Sequence, residues 1–493
     1  MKNKKSYFIF LSIVISISYF IASCRYDKAQ PDYKGYPNDI GKIIVTKCAG
    51  TGCHNETSKE AAGGLSMETW DKLFEGGRTS ASVIPYRHDF SIACYYINTY
   101  PDLGFTLKPI MPYNKTPLSH DDVSLVEKWI DAGAPNDKGF VKFSDNANRK
   151  KFYVANQGCD VVTVFDTETL LPMRYINIGT SGAIESSHDI QVSPDGKFWY
   201  VLFTSGQYFQ KFSTETDELV SQAYLGPLQR AWNTFTFSND GNIAYLIDYD
   251  NNADIAVVDL ATMTVSHNIG FNNPHGCTVS PDGNFLYVTE QVSSSKIYKI
   301  PLTPTPDFSA FTESDLFSTP PSTSLNSHQV IFSPDGSKYF VTCQGTSEVR
   351  VMSSSDVFIT AIPVGASPTE MEISETNNLL FVTCEDDISS FPGKRGSLAI
   401  IDIATNTQVS WSPIYTGHQP HGIEVDDEKN LVYIANRNVS AGGPSPHHTA
   451  VCGGKNGYVT FVDMNTHQLL KTTSGSDKKV EVSVDPYEIG IRH

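Results

Sequence analysis

Residues 274–290 read PHGCTVSPDGNFLYVTE, and this stretch decides the larger part of the fold. Runs rich in Val, Phe, Leu and Tyr lie on both sides of Ser280-Pro281-Asp282-Gly283. Such a pattern is a strand pair joined by a tight turn, because Pro presets one backbone dihedral and Gly accepts a positive one. The unit recurs as SHDIQVSPDGKFWYVLF (187–203), WNTFTFSNDGNIAYLID (232–248), SHQVIFSPDGSKYFVTC (327–343), PTEMEISETNNLLFVTC (368–384) and PHGIEVDDEKNLVYIAN (420–436). Each copy runs on into a third strand ending in Asp, a turn and a fourth strand. Four short strands per repeat, at a period of roughly 40–50 residues, make one blade of a β-propeller. Residues 151–179 begin at a second strand, whereas 486–493 (PYEIGIRH) offer a first strand with nothing after it. The C-terminal strand is therefore expected to complete the first blade, giving a seven-bladed propeller over 148–493.

Aligning the copies on the turn puts one position of each blade in register: His188, Asn233, His275, His328, Thr369, His421 and Tyr487. It opens the innermost strand, so these side chains crowd one mouth of the central channel. The loop between strands two and three emerges on the same face, and in blade seven it carries the insert RNVSAGGPSPHHTAVCGGKNG. His447, His448 and Cys452 are expected to overhang that mouth, with Cys159 in the matching loop of blade one; a Cys159–Cys452 disulfide is compatible with an oxidising compartment. Two readings of the histidines compete. Imidazole clusters bind copper, zinc and iron, which makes His188, His275, His328, His421, His447 and His448 a candidate metal or substrate site. Alternatively each His hydrogen-bonds the backbone of the neighbouring blade. Cys343 and Cys384 share a blade slot with Ala155 and Ala435 and read as small core residues, as does Cys277.

Ahead of the repeats stands Cys48-Ala49-Gly50-Thr51-Gly52-Cys53-His54. Covalent haem attachment needs two thiols for thioether bonds and a His directly after the second as the proximal iron ligand. The usual spacer is two residues; here it is four, and Gly50 and Gly52 suit the necessary bulge. Met111, stiffened by Pro112, is the candidate second axial ligand, with His88 as an alternative. Ser119 then reads as the N-cap of a helix with Asp121 and Asp122 in its first turn and Gly133 after its end. His120 reads as a solvated residue at the start of that helix and Cys94 as a small buried residue.

The chain opens with Lys2, Lys4 and Lys5, an apolar run from Tyr7 to Ala22, and Ile21-Ala22-Ser23-Cys24. This is export-signal logic, and the run is short for a membrane span. Residues 1–24 are expected to be a signal peptide, 25–37 a polar tether, 38–137 a haem domain, 138–147 a linker and 148–493 the propeller. Hydrophobic residues make up 40% of the 493, enough for real cores. A formal charge of −17 argues against nucleic acid, whose phosphates need clustered Lys and Arg.

Three resemblances sharpen these expectations. The IASC ending resembles the bacterial lipobox, which implies a lipid on Cys24 and a chain in the cell envelope, facing the periplasm or outer membrane. The order CxxxxCH, GGLSMETW, IMPYNKTPLSHDDVSLVEKWIDAGAP resembles the cytochrome c domains of bacterial multidomain lipoproteins. That likeness implies a small all-α domain with haem c on Cys48 and Cys53 and an axial pair His54 and Met111. The repeats resemble the YVTN-type propeller family, in which a His at the ring position is frequent; the likeness is specific for fold and poor for activity. The function implied is electron transfer outside the cytoplasmic membrane, with the propeller as docking or substrate-binding module and a redox protein as partner. The competing readings are a propeller-based oxidoreductase with a His-lined metal or substrate site, and a non-redox surface binding protein. No nucleophile–base motif, phosphate loop or dinucleotide fingerprint is present, so catalytic residues stay unassigned.

Overall fold

The computed structural model describes residues 31–492 apart from 293–294, 304, 320–322 and 449. The expected signal segment and Cys24 lie outside the described residues.

Residues 151–492 form seven antiparallel sheets arranged as a β-propeller. The Ser-Pro-Asp-Gly turn is built by its serine as much as by its glycine. Ser193 Oγ accepts from Phe198 N at 3.1 Å and donates to Asp195 Oδ1 at 2.7 Å, while Gly196 stands at φ +69°. The same serine–aspartate pair recurs at Ser238/Asp240, Ser280/Asp282 and Ser333/Asp335. In blades six and seven, Asn378 and Asn430 take the left-handed conformation instead.

Strand Pro486–Arg492 pairs with Lys151–Asn156, so the last strand of the chain is the inner strand of blade one. The ring closes with each inner strand touching the next: Pro486–Arg492, Ser187–Val192, Trp232–Phe237, Pro274–Val279, Ser327–Phe332, Pro368–Ser374, Pro420–Asp426, and back. Phe152 of blade one stacks on Phe165 and on Tyr433 of blade seven, ring centroids 4.3 and 4.6 Å apart, which packs the closure with aromatic surface. In blade seven, Lys479–Val484 pairs with Asn456–Asp463, as does the short strand Gln468–Leu469.

The expected separate all-α cytochrome domain is not what residues 38–137 form. They hold four helices, α1 (Asn38–Ile43), α2 (Trp70–Leu73), α3 (Ile92–Ile97) and α4 (His120–Asp131), three of them no longer than six residues. Helices this short do not sustain themselves without packing. Their packing partner is the propeller: Tyr36, Trp70, Trp129 and Ile130 belong to one continuous core with Tyr153, Trp199 and Phe212 of blades one and two. Phe90 stacks on Tyr175 at 4.2 Å, Arg87 donates to Tyr175 O at 3.0 Å, and Glu481 N donates to Thr79 O at 3.1 Å. The protein is thus nearly all-β, with a helical shell fixed to the flank of blades one and seven. Local signals in that shell hold: Ser119 caps α4 by accepting from Asp122 N. Gly133 and Ala134 end the helix in a Schellman motif, donating to Ile130 O and Trp129 O at 2.8 Å each.

Candidate functional site

Every inner strand begins with a break in register against its neighbour. A bulge lets two consecutive side chains face one side, and here both face the channel. His188, Thr369 and Tyr487 line one chamber of about 290 Å³, while the residues after them, Asp189, Glu370 and Glu488, line a second chamber further along the strands. Two residues before the ring position, Ser186, Asn273, Asn326, Ser367, Gln419 and Asp485 all have φ between +42° and +60°. This conformation costs a non-glycine residue about 1–2 kcal/mol and aims the following strand at the axis. The glycine of each Pro-His-Gly has a steric reason. A Cβ on Gly276 would sit 2.3 Å from His328 O, and one on Gly422 2.5 Å from Tyr487 O.

The ring brings His188, His275, His328 and His421 together. Ring centroids are 4.0 Å apart for His275–His328, 5.9 Å for His328–His421 and 6.2 Å for His188–His275, and Tyr487 lies 3.8 Å from His421. Three imidazoles engage the next blade through Nδ1: His188 with Asn233 O at 2.8 Å, His275 with His328 O and His421 with Tyr487 O at 3.2 Å each. The backbone-latch reading is therefore correct for these three, and it leaves Nε2 of each without a hydrogen bond. An imidazole whose Nδ1–H is held by a carbonyl has its Nε2 lone pair oriented for a metal, so the two readings are compatible. Burial first, then neighbouring charge, pushes His188 down to about 3; burial alone takes His275 to about 4. His328 and His421 are pushed well below the usual range by burial and by the other imidazoles, with Arg437 adding to the effect on His421. All four are neutral at pH 7, the state a metal requires.

His328, His421 and Glu370 place one donor atom each within 4.8 Å of one another, and all three residues are buried. His328 Nδ1 has no hydrogen-bond partner and lies 3.5 Å from Glu370 Oε1. Burial, with Asp189 and Glu372 nearby, raises the Glu370 carboxyl to about 8. Glu370 is the residue sequence reasoning missed. Strict alternation from Thr369 turns it away from the channel, and only the bulge turns it back.

The insert does not join this cluster. His447 N donates to Glu481 at 2.7 Å and His448 Nδ1 lies 2.8 Å from the same carboxylate; neither residue lines a channel chamber. Cys159 and Cys452 form a disulfide with Cα atoms 5.6 Å apart. In the helical shell, Cys48 and Cys53 are free thiols. Their loop folds back on itself: Cys53 N donates to Gly50 O at 3.0 Å and His54 N to Cys48 O at 3.1 Å. Burial, then Cys53 nearby, pushes the Cys48 thiol up to about 11. His54 Nδ1 is buried without a hydrogen-bond partner, and Met111 packs, like Cys48, against the shared core. His88 pairs with Asp131 and His120 with Asp102, each at 2.8 Å.

No protein-family model matches the chain, and no curated protein matches its sequence significantly. Solved structures do match in fold. The periplasmic gluconolactonase PpgL of Pseudomonas aeruginosa is 16% identical, with a TM-score of 0.51 over 70% of this chain and 99% of its own. A functionally unknown protein from Desulfotomaculum acetoxidans is 12% identical, with a TM-score of 0.50 over 68% of this chain and 99% of its own. The dihydro-heme d1 dehydrogenase NirN is 12% identical, with a TM-score of 0.47 over 84% of this chain and 94% of its own. At these identities the first two establish the propeller fold and leave the chemistry to the residues described above.

Proposed function

We propose that this protein is a propeller-based metalloenzyme whose channel holds one first-row transition metal on His328, His421 and Glu370. The observation that carries this is the buried trio of donors within 4.8 Å. Two imidazoles and one carboxylate are the donor set of mononuclear Fe(II) and catalytic Zn(II) sites, which leave positions open to water or substrate. His275, 4.0 Å from His328 between ring centroids, supplies a further nitrogen on the same wall. The protein's part is to keep the imidazoles neutral, fix the orientation of His421 through its carbonyl latch to Tyr487 and shield the site inside the ring.

The test is metal content. Protein reconstituted with Zn(II) or Fe(II) and dialysed against a weak chelator is expected to retain one equivalent by mass spectrometry, and His421→Asn or Glu370→Gln to lose it. Retention of no metal by the unaltered chain overturns the reading.

A covalent haem c on Cys48 and Cys53, with His54 and Met111 as axial ligands, is the second reading. Two unpaired thiols in one folded-back loop, followed by an imidazole with an unsatisfied Nδ1, favour it. Bound there, haem would supply one-electron transfer, making the channel site an oxidoreductase fed by a redox partner protein. Pigment that stays on the polypeptide after acid extraction of exported protein supports it; a colourless polypeptide removes it. In both readings the chain works in the cell envelope, tethered by a lipid on Cys24. The Cys159–Cys452 disulfide supports an oxidising compartment.

A further inference from the structure

The second chamber holds about 540 Å³ and follows the histidine ring along the inner strands toward the Ser-Pro-Asp-Gly turns. Six carboxylate residues line it, Asp195 among them at the turn end, and no Lys or Arg contributes. The other five fall in two tiers. Asp189, Glu370 and Glu488 occupy the position after the ring residue, and Glu372 and Glu424 lie two residues further along their strands. Two residues of strand separate the tiers by about 6.6 Å. Gln191, Gln329, Thr234, Thr236 and Thr278 add to the polar lining. Glu370 accepts no hydrogen bond on its carboxylate, and the His328 Nδ1 that faces it at 3.5 Å is also unpartnered in a residue only 3% exposed.

We propose that this chamber binds an aliphatic diamine or polyamine, one ammonium on each carboxylate tier and the methylene chain spanning the gap between them. This deepens the metal reading, on which it rests for the claim that the amine is the substrate class of the same channel. Carboxyls crowded in one cavity with no Lys or Arg among its lining residues keep their charge only beside a counter-cation, so the occupant that suits them is a cation. Its size points to an organic one, because the volume far exceeds a dehydrated ion. A four-carbon diamine extends about 6 Å between its nitrogens, which matches the tier spacing.

Calorimetric titration of the full chain with 1,4-diaminobutane, n-butylamine and calcium chloride, with and without bound Zn(II), tests this. The diamine is expected to bind at least tenfold more tightly than the monoamine, and Glu372→Gln with Glu424→Gln to weaken it at least tenfold. Should that double variant fail to fold, the diamine-to-monoamine ratio of the unaltered chain decides alone. A ratio near one, or calcium displacing the diamine, overturns the proposal. Zn(II) content of the same samples separates the two claims. Metal retained without diamine binding defeats the amine site only, and diamine binding without metal defeats the metal site only.

Discussion

His188→Asn should reverse its effect on stability between neutral and acidic pH. Asn already occupies this ring slot in blade three, at Asn233, so the replacement fits the backbone. In the native protein His188 resists protonation down to about 3, against 6.5 when solvated, because it is buried and His275 is close by. As pH falls through 6.5 the unfolded chain binds a proton that the folded chain does not, so stability is lost between 6.5 and about 3. From pH 7 to pH 4.5 that loss is about 2.5 kcal/mol at about 1.4 kcal/mol per unit. At pH 7 the variant gives up the Nδ1 hydrogen bond to Asn233 O, which costs about 1 kcal/mol. His188→Asn is therefore expected to be less stable than the parent at pH 7 and more stable at pH 4.5. The buried carboxyls of the channel, whose raised values act in the opposite sense, are common to both proteins and cancel in the difference. Urea denaturation of metal-free protein, followed by tryptophan fluorescence at both pH values, gives the two differences. An unchanged difference across that range would refute the claim that the ring is held neutral by burial.

Gly422→Ala should destabilise by at least about 2 kcal/mol, because its Cβ would fall 2.5 Å from Tyr487 O and 2.6 Å from the Glu488 Cα of the neighbouring strand backbone; denaturant melts measure it. Cys452→Ser should cost about 2–4 kcal/mol and make the midpoint insensitive to dithiothreitol, whereas the parent midpoint should fall with reductant; a parent that ignores reductant contradicts a structural disulfide.

The propeller was legible because its signals are local and repeated. Ser-Pro-Asp-Gly fixes a turn within four residues, and register among copies places the ring histidines without any tertiary information. The closing strand was legible for the same reason, since PYEIGIRH has the pattern of an inner strand and lacks followers. The helical shell shows the limit. Ser119 and Gly133 bound α4 as their residue types require, yet whether such helices stand alone depends on contacts such as Phe90 on Tyr175, which no local pattern encodes. Glu370 was hidden for a related reason. The bulge that turns it inward accompanies a left-handed Ser367, and serine carries no signal for that conformation.

Because blade one takes its innermost strand from the end of the polypeptide, Tyr487 and Glu488 are the last contributors to reach the axis. Until that strand docks, the wall beside His188 and His421 has a gap open to water. The interior chambers exist only after residues 486–492 have docked. Whatever these chambers hold must be captured at or after the moment of closure.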